Sequence, residues 1–375
     1  MKRTPSVRSA SYVPDFALAE NNRKAGFRII VVLASALLCE NLRGQHLADP
    51  VDQELIRSTV ENLAGVLQRE YFDPEVGASA SKSLQEGLAE GRYANAPTLQ
   101  SLADMLTRDL FESTNDKHLA VAVVEDVIST DKSARPLDWS RQERGRHENF
   151  GVQRVEVLPG NVGYLNLTSF YRPEEARDTL SAAMHMLQNA ESLILDMRAN
   201  GGGSPETAAL LASYFFLAPE LPLFKIVDRS GDVRLYSTEK ALPPERNETR
   251  PLYVLTSAKT FSAGEGIAFI LQERQRAEIV GEQTAGAANP GRPYRVNSHF
   301  ELVVPNGKVV AAITGRNWEG SGVTPDVLVP APDALRVAYA GALSKLLNQS
   351  TAGPRRDALE RHLKAANASA IPQAD

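Results

Sequence analysis

Apolar residues recur at helical spacing between residues 51 and 112. In VDQELIRSTVENLAGVLQREYF the pattern is carried by Val51, Leu55, Val60, Leu63, Val66 and Leu67, which predicts an amphipathic helix. Asp73-Pro74 ends it, and two more helices are predicted in SASKSLQEGLAEGRY and from Pro97-Thr98 onward. We therefore expect a small helical N-terminal domain over residues 50–125, ending in the strand HLAVAVVED, and a polar connector over 126–150.

Short apolar runs alternate with amphipathic stretches after residue 150. NVGYLNLTSF, SLILDMR, PLYVLTS and AEIVGE are typical of strands, and EEARDTLSAAMHMLQNA and IAFILQER of helices. LFKIVDR with VRLYST predicts a hairpin, as does HFELVVPNGKVVAAITG with its turn at Asn306-Gly307. This alternation predicts an α/β core over residues 151–335, a closing helix over 336–350 and a loosely attached tail over 351–375.

The N-terminal segment is basic and then apolar. After six Lys and Arg residues within positions 1–28 comes IIVVLASALLC, which is too short to span a bilayer comfortably and has the length of a signal-peptide core. Residues 1–48 are therefore predicted to be a signal peptide or an N-terminal anchor, with an A-x-A cleavage motif at Ala34-Ser35-Ala36. This favours an exported protein, periplasmic or secreted, with any membrane attachment confined to this segment. A buried helix or strand of the fold is the alternative.

Composition narrows the function classes. The net charge is −5, and the sequence lacks the clustered basic residues typical of a nucleic-acid-binding protein. Cys39 is the only cysteine, so an intramolecular disulfide and a CxxC site are excluded. Neither HExxH nor an EF-hand pattern occurs, so no metal and no cofactor is expected.

A hydroxyl stands at the predicted start of a helix in TFSAGEGIAFILQE, residues 260–273. Ser262 followed by Glu265 has the form of a capping box, in which the two side chains bond free backbone N–H groups. A serine between a strand and a helix is also where nucleophiles are mounted, because the helix N-terminus supplies N–H groups and positive potential. The local sequence leaves both interpretations open.

Three other stretches carry candidate chemistry. Gly201, Gly202 and Gly203 follow the strand SLILD and let the backbone approach a ligand closely. A dinucleotide fingerprint is excluded because the third glycine of GxGxxG is missing, although a plain structural turn remains open. His118 in STNDKHLAV and Glu319 in RNWEGSGVTPDV are each, taken alone, compatible with a surface or packing role.

Taken together, DMRANGGG, TFSAGEG, GEQTAG and NWEGSGVTPDV resemble, in order and spacing, the tail-specific (C-terminal processing) serine peptidases. That family includes the tricorn core protease and interphotoreceptor retinoid-binding protein, and the helical segment ending in NDKHLAV is similar to the N-terminal domain of the retinoid-binding protein and its bacterial relatives. The resemblance covers about residues 50–335. It implies a crotonase/Clp-protease-like spiral core of ββα units, with Ser262 as the nucleophile and the N–H groups of Gly202 and Ala263 as the oxyanion hole.

The resemblance also bears on the base. Many members use a lysine just after GExTxG, where this chain has Ala287 and Ala288. The tricorn-like branch uses a histidine oriented through a hydroxyl and a glutamate, which implies His118 as base and Glu319 in support. The hydroxyl residue before the histidine is Lys117 here, so Glu319 or Asp116 is left to orient the ring.

These features predict a serine peptidase acting on a protein or peptide substrate. The family often carries a PDZ domain, for which residues 128–150 are too short. The alternative is a catalytically weak or inactive protein that binds an apolar ligand or a peptide in the same cleft. An esterase of α/β-hydrolase type with His299 as base is disfavoured, because Thr260 stands where GxSxG requires glycine.

Overall fold

Three helices form the first part of the computed structural model, which describes residues 51–124, 141–241 and 243–368. They are α1 (Gln53–Glu70), α2 (Pro74–Ala89) and α3 (Leu99–Thr114). Asp73 caps α2 by accepting the N–H groups of Glu75 and Val76 at 3.0 and 3.2 Å, which confirms the predicted break. The predicted signal segment, residues 1–48, lies outside the described residues.

The helical domain packs on a small sheet drawn partly from later in the chain. Strand β1 (Ala120–Val123) pairs antiparallel with β10 (Phe300–Pro305), which pairs with β9 (Gly291–Arg295). Phe300, Leu302 and Val304 are buried against the helices. Of the connector, α4 (Arg141–His147) and a 3₁₀ turn (Asn149–Gly151) are described.

The predicted hairpin at Asn306-Gly307 is wrong. Its second half is β11 (Gly307–Ala311), which leaves β10 and pairs antiparallel with β5 (Pro222–Asp228) in a separate sheet. The other neighbour of β5 is β6 (Val233–Ser237), so the hairpin predicted there is confirmed. The local turn signal is overridden because both halves find other strand partners.

A six-stranded sheet forms the centre of the core, in the order β12–β8–β7–β4–β3–β2. Its pairings are parallel except for that between β2 and β3. The strands are β2 (Val152–Leu158), β3 (Val162–Leu167), β4 (Ser192–Asp196), β7 (Leu252–Thr256), β8 (Glu278–Gly281) and β12 (Val327–Leu328). With helices on both faces, this confirms the predicted α/β class.

The two faces of this sheet bury different helices. Leu193 and Leu195 share a cluster with the face that carries α5 (Pro173–Met186), α6 (Pro205–Ala212) and α7 (Ala263–Glu273). Ile194 faces the other way, toward α8 (Ala331–Asn348) and α9 (Pro354–Asn367). Helix α9 corrects the expected loose tail: it starts at a Gly-Pro pair and buries Leu359 and Ala366 against α8. Among the described residues, no helix is both long and apolar enough to cross a membrane.

Candidate active site

Three loops meet at the carboxyl edge of the parallel strands, where open α/β sheets place their ligands. The glycine turn, residues 201–203, follows β4, and Ser262 follows β7 at the start of α7. The segment 282–289 follows β8. Because these strands are neighbours in the sheet, the loops are brought together by topology alone.

Ser262 has the backbone of a strained turn. Its φ of 53° and ψ of −121° are unfavourable for a residue with a Cβ, at about 1–3 kcal/mol. It occupies the N-cap position of α7, yet its side chain makes no capping hydrogen bond. Of the two hydrogen bonds of a capping box, the one to the Glu265 side chain is formed: Ser262 N–H donates to Glu265 Oε2 at 2.8 Å. The Ser262 hydroxyl is therefore left for other chemistry.

Glu265 fixes the loops around Ser262. It is fully buried, and its carboxylate accepts the Thr284 hydroxyl and Gly286 N–H on Oε1 and the Ala287 and Ser262 N–H groups on Oε2, at 2.6–3.0 Å. Four donors fit an ionised carboxylate, while burial acts oppositely and raises the pKa of Glu265 to about 7. The sequence indicated this residue only as a helix cap.

Gly202 lies against Ser262, with no space for a larger residue. A Cβ on Gly202 would stand 2.7 Å from Ser262 Cβ, and its φ is +89°. Its N–H, however, donates to Asn200 Oδ1 at 2.8 Å. This hydrogen bond competes with the predicted role of the Gly202 N–H in the oxyanion hole.

Gly203 offers the alternative donor in the same turn. Phe170 N–H donates to Gly202 O at 2.7 Å and Ser204 N–H to Phe170 O at 2.8 Å, which makes Gly203 the bridge residue that continues β4 beside β3. In such a bridge the residue's own N–H points away from its partner, here away from β3 and toward the side of β7. Within the described ranges, neither this N–H nor that of Ala263 has an acceptor.

His118 is brought to Ser262 from the turn between α3 and β1. Its Nε2 lies 3.1 Å from Ser262 Oγ, and its ring is tilted against Phe261 at a centroid distance of 4.8 Å. The His118 N–H donates to Asp116 Oδ1 at 2.9 Å, and Asp116 is 2% exposed. The structure thus joins His118 and Ser262 at hydrogen-bond distance although they are 144 positions apart.

Two carboxyl groups, those of Asp116 and Glu319, lie close to the His118 ring. Asp116, His118 and Glu319 each have one potential ligand atom within 4.8 Å of the others, a spacing that could also suit a metal ion. Glu319 Oε2 accepts the N–H groups of Ala288 and Asn289 at 2.7 and 3.0 Å. His118 Nδ1 and Glu319 Oε1 are both buried and have no hydrogen-bond partner.

The pKa values of these groups diverge from their ordinary ranges because of burial. Burial lowers the pKa of His118 to about 4, so the imidazole is neutral at pH 7. Burial, and then the negative charge of Asp116, raises the pKa of Glu319 to about 7. Burial also raises the pKa of Asp116, against the hydrogen bonds from His118 N–H and the Tyr71 hydroxyl. The negative charge of Glu265 also raises the pKa of Glu319.

The remaining sequence candidates are placed as follows. Ala287 and Ala288, which stand at the lysine position of many family members, are buried and carry no ionisable group. The Lys117 ammonium donates to the carbonyl of Ala285. His299 lies in the turn between β9 and β10, where its N–H donates to Asn297 Oδ1. The imidazole at hydrogen-bond distance from the Ser262 hydroxyl is that of His118.

Known proteins match both parts of the chain. Residues 161–329 match the model of peptidase family S41, and residues 53–144 match the N-terminal domain of Peptidase_S41 in eukaryotic IRBP. The carboxy-terminal processing protease CtpA of Bacillus subtilis is 28% identical over 341 residues, which cover 86% of this chain and 69% of that protein. A carboxyl-terminal-processing protease of Synechocystis is 32% identical over 192 residues, 48% of this chain and 41% of that one.

Solved structures share the fold at low sequence identity. Mature CPAF has a TM-score of 0.50 at 14% identity and covers 85% of this chain and 99% of its own. A Parabacteroides merdae protein described as a candidate peptidase has a TM-score of 0.51 at 17% identity, with 79% and 99% covered. The two family models, which together match residues 53–144 and 161–329, show that this chain belongs to peptidase family S41, a family of serine-type peptidases whose members include the carboxy-terminal processing proteases named above.

Proposed function

We propose that this chain hydrolyses peptide bonds through an acyl-enzyme on Ser262, with His118 as the general base. The contact of 3.1 Å between His118 Nε2 and Ser262 Oγ carries this proposal. Nε2 must hold a lone pair to take the hydroxyl proton, and the low pKa of His118 keeps the ring neutral for that purpose. A protein that only bound an apolar ligand would need neither this contact nor the strained serine.

The reaction then runs in two halves. Ser262 Oγ attacks the scissile carbonyl carbon as its proton passes to His118 Nε2, and the C–N bond breaks when Nε2–H protonates the leaving amine. Water, deprotonated by the same nitrogen, next attacks the ester carbonyl and releases the acid and the free serine. The negative oxygen of each tetrahedral intermediate requires preorganised N–H donors.

For these donors we propose Ala263 and Gly203, in place of Gly202. Ala263 follows the nucleophile at the first position of α7, where backbone N–H groups have no helical acceptor. Gly203 N–H faces the same side, while Gly202 N–H is bonded to Asn200. Loss of one such donor typically reduces kcat by about 10²- to 10³-fold.

Glu319 is proposed to orient the imidazole. The productive tautomer carries its proton on Nδ1, which needs an acceptor, and Glu319 Oε1 is buried nearby without a donor. Contacts between catalytic groups are often long in the free enzyme and tighten with substrate. Asp116 is less suited to this role, because each of its oxygens already accepts a hydrogen bond, from Tyr71 or from the His118 backbone, whereas Glu319 Oε1 accepts none.

Labelling by a fluorophosphonate probe tests the nucleophile, because only an activated serine reacts. Ser262→Ala should abolish both labelling and peptide hydrolysis without loss of stability, since this side chain caps nothing. The matched control is Thr98→Ala, whose hydroxyl does cap α3 at 3.1 Å and whose loss should cost about 1 kcal/mol while labelling persists. Undiminished hydrolysis by purified Ser262→Ala would refute the assignment.

We also propose that the protein is exported and acts on protein or peptide substrates. Export is supported by the basic and apolar N-terminal sequence, and the substrate class by the names of the relatives. Mass spectrometry of protein from the native host should find a mature N-terminus that lacks about the first 36 to 48 residues. An intact N-terminus in the cytosolic fraction would contradict export, and an uncleaved chain in the membrane fraction would show an anchor instead.

A further inference from the structure

We propose that Tyr71 is a positioning residue for the catalytic base: its hydroxyl holds Asp116, which in turn holds the backbone of His118. This inference rests on the proposed role of His118. It adds a hydroxyl contact from the end of α1, 47 positions before the base in the sequence. Lys117 stands in this chain where the tricorn-like branch has a hydroxyl residue before its histidine.

Two short hydrogen bonds form the connection. Tyr71 Oη donates to Asp116 Oδ2 at 2.8 Å, and His118 N–H donates to Asp116 Oδ1 at 2.9 Å. Tyr71 is 3% exposed and Asp116 is 2% exposed. Water therefore cannot replace the hydroxyl without rearrangement, and a movement of Asp116 is passed directly to the backbone of the base.

Tyr71 is itself fixed from two sides. Its N–H donates to Leu67 O at the end of α1, at 3.2 Å. Its carbonyl accepts a hydrogen bond of 2.6 Å from Arg229, which lies in the turn between β5 and β6. The backbone of Tyr71 is therefore held by hydrogen bonds to both the helical domain and the core. A residue that positions a catalytic group must itself be fixed in this way.

Asp116 depends on this hydroxyl because it has no positive partner. In the part of the chain that the structure describes, no Lys or Arg pairs with Asp116, and its donors are Tyr71 and backbone N–H groups. Without the hydroxyl, the buried carboxylate loses its only side-chain donor among the described residues, which is unfavourable for a charged group. Asp116 must then rotate or take up a proton, and either change weakens its hold on His118.

The chain supplies a matched control for a merely structural role. Tyr93 is 1% exposed in the same helical domain, and its hydroxyl donates to Asp109 Oδ2 at 2.6 Å. Tyr93→Phe thus removes a tyrosine–aspartate hydrogen bond from a pair that does not touch His118, and Asp109 keeps its ion pair with Arg92. If tyrosine–aspartate bonds only stabilise the helical domain, the two variants are free to differ in stability, but neither should lose kcat per labelled site.

The experiment compares kcat, per active site titrated with fluorophosphonate, for Tyr71→Phe, Tyr93→Phe and the unchanged protein. Tyr71→Phe should lower kcat by about 10- to 100-fold with little change in KM, because a hydrogen bond to a charged group is lost. Tyr93→Phe should change neither.

An amide chemical shift gives a readout that does not depend on activity. The His118 N–H proton should shift in ¹⁵N–¹H spectra of Tyr71→Phe and stay in place in Tyr93→Phe. Equal kcat values for the two variants, or an unmoved His118 amide, would overturn the positioning role. Labelling of Ser262 in the unchanged protein tests the catalytic assignment separately, so a failure of one proposal is not mistaken for a failure of the other.

Discussion

Gly202→Ala should disable the nucleophile by displacing it. The added Cβ would stand 2.7 Å from Ser262 Cβ, whereas ordinary contact begins at 3.4 Å, so one group must move by about 0.7 Å (3.4 minus 2.7). Further close contacts, at 3.0 Å with Phe261 O and 3.1 Å with Ala263 N, restrict movement of the turn itself. A misplacement of about 1 Å can reduce the rate 10²-fold, so we expect kcat to fall about 10²-fold.

The backbone penalty must be separated from this steric effect. Gly231, in the exposed turn between β5 and β6, has a φ of +87° against +89° for Gly202, and a Cβ there would meet nothing within 4 Å. Gly231→Ala therefore carries the same unfavourable φ, about 1–2 kcal/mol, without the clash. Thermal melting and kcat should be measured for both variants. A fall in melting temperature for both variants, larger for Gly202→Ala because of its clash, with kcat reduced only in Gly202→Ala, supports the reasoning; equal kcat values would refute it.

Two further predictions concern the carboxylates and the C-terminal helix. Because only ionised Glu319 can accept the Nδ1 proton, kcat/KM should rise with pH through about 7, the raised pKa of Glu319. Glu319→Gln should remove this inflection and lower kcat about 10³-fold or more, as loss of the orienting carboxylate does in other triads; an unchanged profile would assign the inflection elsewhere. Leu359→Ala should lower the free energy of unfolding by about 2–4 kcal/mol in urea titrations, because it empties a buried position between α8 and α9. Its kcat should not change, since this cluster lies on the sheet face opposite α7; a loss of activity in fully folded protein would contradict that separation.

The sequence predicted which residues form the candidate site better than it predicted the hydrogen bonds between them. Ser262, His118 and Glu319 could be proposed because short motifs in a fixed order carry them, and the structure places Ser262 and His118 in contact. Nothing local marks Tyr71, which is an aromatic residue at a helix end whose contact with Asp116 spans 45 positions. Such a hydrogen bond is decided by packing of separate elements, which periodicity does not encode.

Backbone donors were equally hard to foresee. Three consecutive glycines indicate a close approach, but which N–H is free depends on whether Asn200 folds back onto the turn. The error at Asn306-Gly307 has a related cause, because turn residues allow a hairpin without deciding which strands will pair. Helix α9 did have a local signal in Gly353-Pro354, followed by apolar residues at helical spacing.

The loop that carries the lysine in many family members has a different use in this chain. Ala287 N–H donates to Glu265, and Ala288 N–H donates to Glu319. The Ala287 carbonyl also accepts Trp318 Nε1–H at 2.9 Å, which ties the loop to the turn that carries Glu319. With 0% and 4% exposure, the two alanines leave no room for a long side chain unless the surrounding contacts move. The segment thus holds two carboxylates through its backbone instead of supplying a base. The proton of Ser262 must therefore be taken by a group from another part of the chain. Among the described residues, the imidazole that reaches the Ser262 hydroxyl is that of His118, which follows the last helix of the helical domain. The nucleophile and its base therefore depend on the packing of two separate parts of the fold.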